Sequence, residues 1–136
     1  MKPDKDPEID VYLKAVQGKK ASDIVALDVR EITTMADVFI ILSGRSSRQV
    51  MAIADHIQSE LKGKGIKPLS VEGRQTGHWI LMDYGHVLIH IFYESTRDFY
   101  DLESLWADGR RMVVEPVPED GQGFDEAAAL DPEDDF

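Results

Sequence analysis

Residues 36–65, ADVFIILSGRSSRQVMAIADHIQSELKGKG, hold a strand and a helix in immediate succession. Val38, Phe39, Ile40, Ile41 and Leu42 form an unbroken apolar run. A run this short and continuous suits a strand covered on both faces, as in α/β sheets. After Ser43-Gly44 the period changes. Val50, Ile53, Ala54, Ile57 and Leu61 fall on one stripe of a helix. Ser46 or Ser47 can cap its start, and Lys62-Gly63-Lys64-Gly65 ends it.

Upstream, residues 8–18 place Ile9, Tyr12, Leu13 and Val16 at helical spacing, with Gly18 as a stop. DIVALDV (23–29) follows with the composition of a strand. Downstream, a short strand near 69–72 completes a strand–helix–strand unit, for which the right-handed crossover is the rule. A hairpin comes next. With Tyr84-Gly85 as a two-residue turn, Asp83 pairs with His86, Leu81 with Leu88, and Trp79 with His90. Alternation then puts Ile80, Met82, Val87, Ile89 and Ile91 on one face. Trp79, Leu81, Asp83, His86, Leu88, His90 and Phe92 take the other. Residues 95–106 read as a last helix with Ser95 or Thr96 at its cap, and with Phe99, Leu102 and Trp106 on its buried side. The pattern predicts a single α/β domain whose mixed, mostly five-stranded sheet carries helices packed on it.

The chain has 136 residues and no cysteine, which excludes disulfides, thiolate zinc sites and a Cys nucleophile. No apolar run reaches the roughly 20 residues that span a bilayer. The polar, acidic start carries no signal-peptide core, so the expected location is cytoplasmic. The net charge is −11, but residues 113–136 hold nine acids and no Lys or Arg, leaving a near-neutral body. That balance predicts a flexible N-terminus over 1–7, a folded domain over 8–112 and an acidic disordered tail over 113–136.

Residues 76–106 concentrate the chemistry, with seven of the eleven aromatics and three of the four histidines. His86 and His90, on one strand face, stand about 13 Å apart, too far to share a metal ion. Ser43, Ser46 and Ser47 lack the G-x-S-x-G pattern of a nucleophile elbow. Arg45 and Arg48, beside a helix start, suit an anion or RNA-phosphate contact, against the plainer reading of a capped helix with surface arginines. The Ser-Gly step from strand to helix looks like the start of a nucleotidyltransferase fold. Those enzymes need a carboxylate pair soon afterwards to hold magnesium, and the next acid here is Asp55, deep in the helix. A nucleotide-binding enzyme using Ser43–Arg48 is therefore the weaker reading. The body has no basic excess to hold free nucleic acid. A protein-docking surface remains, since Trp and Tyr are enriched among interface hot spots.

The segments LDVREITTMADVFIILSGRSSRQVMAIADHI (27–57) and VEGRQTGHWILMDYGHVLIHIFYESTRDFYDLESLW (71–106), with the lysines before the first strand, resemble the ribosomal silencing factors, the Iojap-related proteins. The likeness covers about 20–108 and leaves the acidic tail outside it. It implies a nucleotidyltransferase-type fold without the catalytic carboxylates, and no enzymatic activity or cofactor. It implies binding to the large ribosomal subunit through ribosomal protein L-fourteen, a block on joining of the small subunit, translation repression when nutrients are scarce, and a link to large-subunit assembly. The contact set it suggests is Trp79, Leu81, Asp83, Tyr84 and Tyr100; an incidental ribosomal RNA contact is compatible with the anion reading of Arg45 and Arg48 given above. A homodimer of the free chain, through a sheet edge or the aromatic face, is compatible with the same sequence.

Overall fold

The structure is a computed structural model and describes residues 7–114. The expected flexible segment before residue 7 and nearly all of the expected tail lie outside the described residues.

The elements run α1 (Pro7–Ala15), β1 (Ser22–Asp28), β2 (Val38–Gly44), α2 (Ser47–Lys62), β3 (Ser70–Glu72), β4 (Trp79–Asp83), β5 (Val87–Tyr93), α3 (Glu94–Tyr100), α4 (Leu102–Leu105) and β6 (Arg110–Met112). They form one six-stranded open sheet in the order β3-β4-β5-β2-β1-β6. Among the described residues only β2 and β5 pair parallel, from Val38 opposite Val87 to Gly44 opposite Tyr93; the other pairs are antiparallel. The mixed α/β sheet is the one expected, with one strand more. β6 pairs with β1, and its Met112 is buried while Arg110 and Arg111 are exposed. A three-residue basic edge strand has too little periodicity to be seen in a sequence. Val114, placed by sequence in the tail, is partly buried against the core.

Every residue of β2 is buried, as its continuous apolar run requires. Its side chains alternate between two cores. Val38, Ile40 and Leu42 join Ile80, Met82, Val87, Ile89 and Ile91 under α1 and α2. Phe39 and Ile41 join Leu27, Leu88 and Phe92 on the opposite face. α2 starts as read: the Ser46 hydroxyl accepts the Gln49 N–H at 3.0 Å, and Gly63 closes the far end on Ser59 O and Leu61 O. Among the described residues no helix is long and apolar enough to cross a membrane.

The hairpin register differs from the expected one by two residues. Asp83 faces Leu88, Leu81 faces His90, and Trp79 faces Phe92, so the turn is built on Gly85 and His86. Gly85 takes φ +92° at the first turn position, which frees Tyr84 from a backbone conformation it fits badly. A two-residue slip keeps the side-chain parity, so the two strand faces stay as assigned.

The tip of the hairpin is another matter. Tyr84 is buried beneath α1, with its ring 5.3 Å from Tyr12, and His86 packs on the same Tyr12 ring at 5.5 Å. Neither lies on the Trp79 face. Burial next to Tyr12 pushes the Tyr84 hydroxyl up to about 12, and its oxygen has no hydrogen-bond partner among the described residues. A buried hydroxyl without a partner costs stability, whereas the ring it crowns contributes packing. Tyr84→Phe should therefore leave the unfolding free energy unchanged or higher. Tyr84→Ala should lower it by about 3–5 kcal/mol. Urea unfolding of both variants checks this; equal losses in the two would show that the hydroxyl matters more than the ring.

Candidate docking site

The sheet is covered unequally. One face carries α1 and the sixteen-residue α2. Among the described residues, the other is crossed only by α3, of seven residues, and α4, of four. What those two short helices leave uncovered is apolar. Phe99 is 80% exposed, Leu105 71% and Tyr100 50%, while Trp79, Leu81, Val25 and Trp106 are half-buried around them.

A line of touching rings crosses this face. Phe99 meets Tyr100 edge-on at 5.0 Å, and Tyr100 lies 4.8 Å from Trp79. Trp79 stacks on Phe92 at 4.8 Å and lies near His90, whose ring packs on Phe39 at 5.3 Å. Phe39 in turn meets Trp106 at 4.9 Å. Trp79 is also fixed by its backbone. Gly73, at φ +93°, passes so close that a Cβ there would stand 2.0 Å from Trp79 O. Trp79 Nε1 donates to His90 Nδ1 at 3.2 Å, which places the His90 proton on Nε2. The outer end of the row lines a cleft of about 520 Å³, and a larger one of about 770 Å³ lies between α3 and β1. Trp79, Tyr93, Phe99, Tyr100 and His78 line the smaller cleft, and His78 is exposed rather than in the apolar core.

The larger cleft is acidic. Asp23, Glu94, Asp98, Asp101 and Glu103 line it, and Arg97 forms its floor. Arg97 is buried. It donates through Nη1 to Ser43 Oγ at 2.6 Å, and through Nη2 and Nε to the two Glu103 oxygens at 2.8 and 3.3 Å. This fork explains why residues 95–106 are not one helix. On a continuous helix, residues six apart point about 120° away from each other and do not face one another. Asp101 breaks the helix at φ 49°, a conformation that Asp tolerates better than most residues. The break swings Glu103 back onto Arg97, turns Leu102 and Trp106 inward, and leaves Phe99 outside. Phe99 is thus an exposed residue and not the core member that helical spacing suggests. The sequence marks Arg97 only by its four acidic neighbours in ten residues, Glu94, Asp98, Asp101 and Glu103.

Of the five contact residues expected from sequence, Trp79, Leu81 and Tyr100 share the open face. Asp83 stands on the same strand, with Oδ1 accepting the Gly85 N–H at 2.8 Å, so it also fixes the turn. Its expected partner His86 faces away from it, toward Tyr12. Tyr84 is in the opposite core. Arg45 and Arg48 are exposed at the start of α2, outside both clefts. There Gln49 Oε1 accepts the Arg45 N–H at 2.6 Å, so the helix start is occupied by its own capping groups. Among the described residues, no group of three or more His, Cys, Asp or Glu could hold a metal ion.

Residues 2–135 match the family described as "Ribosomal silencing factor during starvation". The chain belongs to this family. The match runs beyond residues 20–108 and includes the acidic C-terminal segment that the sequence motifs leave out. A ribosomal silencing factor of Halalkalibacterium halodurans is 37% identical over 80% of this chain and 93% of its own length. A crystal structure from Chromobacterium violaceum superposes with a TM-score of 0.72 at 33% identity, covering 83% of this chain and 94% of the other. More distant is the mouse protein "Mitochondrial assembly of ribosomal large subunit protein 1", 29% identical over 83% of this chain and 54% of its own.

His90 should make the aromatic face sensitive to acid. Burial lowers its pKa from 6.5 to about 4. The unfolded chain therefore takes up this proton first as pH falls, and the stability owed to neutral His90 is full above the unfolded value. It drains away between about 6.5 and 4, by on the order of 3 kcal/mol. Unfolding of the native chain between those pH values should show this loss, and His90→Gln should flatten it. An unchanged pH slope in the variant would count against a neutral buried His90.

Proposed function

We propose that this chain binds the large ribosomal subunit through ribosomal protein L-fourteen and blocks small-subunit joining by occupying its space. The observation that supports this reading most is the open sheet face, with Phe99, Tyr100, Leu105, Trp79 and Leu81 uncovered beside a rim of acids. Exposed aromatics of this size are the usual energetic centre of a protein interface. The rim of Asp23, Glu94, Asp98 and Asp101, with Asp83 at the hairpin, suits a basic ribosomal protein. The family's description supplies starvation as the circumstance, and the mouse relative's name supports a role in large-subunit assembly.

The mechanism is steric, and no bond is made or broken. Aromatic anchors give the residence time, and the acidic rim gives orientation and a rate that falls with salt. Arg45 and Arg48 lie away from the anchors and serve as incidental contacts with ribosomal RNA phosphate. When the chain is free in the cytoplasm, a homodimer would cover the same apolar face. The nucleotidyltransferase reading is not favoured, since the α2 start is filled by Ser46 and Gln49 and lacks a nearby carboxylate pair.

Sucrose-gradient sedimentation with purified large subunits tests the proposal. The native chain should travel with the subunit and reduce its joining to small subunits. Phe99→Ala with Tyr100→Ala should weaken binding by about tenfold or more, while Lys62→Ala at the far end of α2 should not. A native chain that stays at the top of the gradient would sink the proposal.

A further inference from the structure

A tryptophan side chain has a single hydrogen-bond donor, its indole N–H. In Trp79 that donor is turned into the sheet face, where Nε1 donates to Nδ1 of His90 at 3.2 Å. The two residues do not oppose each other on the β4–β5 ladder: Trp79 faces Phe92, and His90 faces Leu81. The bond is therefore a diagonal one, within the reach of aromatic side chains across a strand pair. The indole leans along the ladder to make it while stacked on Phe92 at 4.8 Å.

His90 is a costly residue for its position. Ile41 of β2 and Leu81 of β4 stand on either side of it, and the Phe39 ring packs on it at 5.3 Å. It is 6% exposed, and its Nε2 has no hydrogen-bond partner among the described residues. A buried donor without a partner costs stability, and a hydrocarbon side chain would fill the same apolar space without that cost. What a hydrocarbon cannot supply is the lone pair on Nδ1. Burial keeps the imidazole neutral at ordinary pH, so this lone pair is present to accept.

The bond decides what the open face offers. With its one donor tied inward, the Trp79 side chain presents only carbon where it lines the smaller cleft with Phe99 and Tyr100. Without an acceptor at residue 90 the indole N–H has to find water, and the ring turns outward to reach it.

We propose that His90 is the positioning residue of the docking face: it accepts the Trp79 N–H and so holds the indole, before any partner arrives, in the orientation that offers an all-carbon surface. The partner surface that meets Trp79 is then apolar carbon and supplies no hydrogen-bond acceptor to it. A side chain ordered in advance loses less freedom on binding, which raises affinity without adding a contact. The inference rests on the docking function proposed above and adds how its central anchor is held.

Variants of the full chain separate this role from simple packing. His90→Phe keeps a ring and removes the acceptor, and His90→Leu removes it with a different shape. His90→Asn loses the ring but puts Oδ1 at the place on the side chain that Nδ1 holds. Urea unfolding identifies which variants are folded, and either acceptor-free variant suffices. Two readouts follow: sedimentation binding to purified large subunits, and nitrogen–proton NMR of the indole groups. The chain has two tryptophans, and the Trp79 signal is the one that Trp79→Phe abolishes. The Trp79 indole proton should exchange slowly with water in the native chain and in His90→Asn, and fast in His90→Phe and His90→Leu. Subunit binding should weaken by about fivefold without the acceptor, and His90→Asn should recover most of that loss. A folded acceptor-free variant that binds as tightly as the native chain, an Asn variant that binds no better than the Leu variant, or an indole proton equally protected in all of them would each overturn the proposal. A native chain that does not bind subunits at all would bring down the proposed function and this role together; native binding with indifferent His90 variants would bring down this role alone.

Discussion

A parallel strand pair buried at the centre of a sheet has to be covered on both faces, because its side chains are apolar on both. In this chain that pair is β2 with β5, and almost every residue in it is buried. The α1 and α2 side meets the requirement with 25 helical residues, nine and sixteen. On the other side, among the described residues, α3 and α4 supply eleven, seven and four. The shortfall appears as the exposed Phe99, Tyr100 and Leu105 and the half-buried Trp79 and Leu81. A face that the fold itself leaves incomplete is where a partner gains most by covering apolar area.

The shape of that face depends on one buried cation. Arg97 joins α3 to the end of β2 through Ser43 and to α4 through Glu103. A buried arginine is tolerable only with its donors satisfied, and a forked carboxylate is a good match for its geometry. The helix break at Asp101 follows from this pairing, and the outward position of Phe99 follows from the break. A polar anchor thus sets the exposure of the apolar residues beside it. Glu94, Asp98 and Asp101 line the same cleft as this anchor.

Much of this was legible in the sequence, for physical reasons that differ between elements. The run from Val38 to Leu42 and the stripe from Val50 to Leu61 are strong periodic signals, and both elements formed as their periods require. Strand parity survived an error in the hairpin turn, because a slip of two residues leaves every side chain on its own face. Parity fails beyond the ladder, however. Tyr84 and His86 leave the strands at the tip and fold onto Tyr12, which no alternation rule could show. Helical spacing misleads over residues 95–106 because the break depends on Arg97 meeting Glu103, a tertiary contact that outweighs it. β6 is not legible in the sequence because three residues, two of them exposed arginines, have no readable period.

The central claim is that the incompletely covered sheet face is the one a partner covers. A cryo-EM reconstruction of the native chain on the large ribosomal subunit measures this most directly. The account predicts density in which Trp79, Leu81, Phe99 and Tyr100 are buried against a ribosomal protein while the outer side of α2 faces solvent. A map with α1 and α2 against the subunit, and the aromatic row open to solvent, would contradict it.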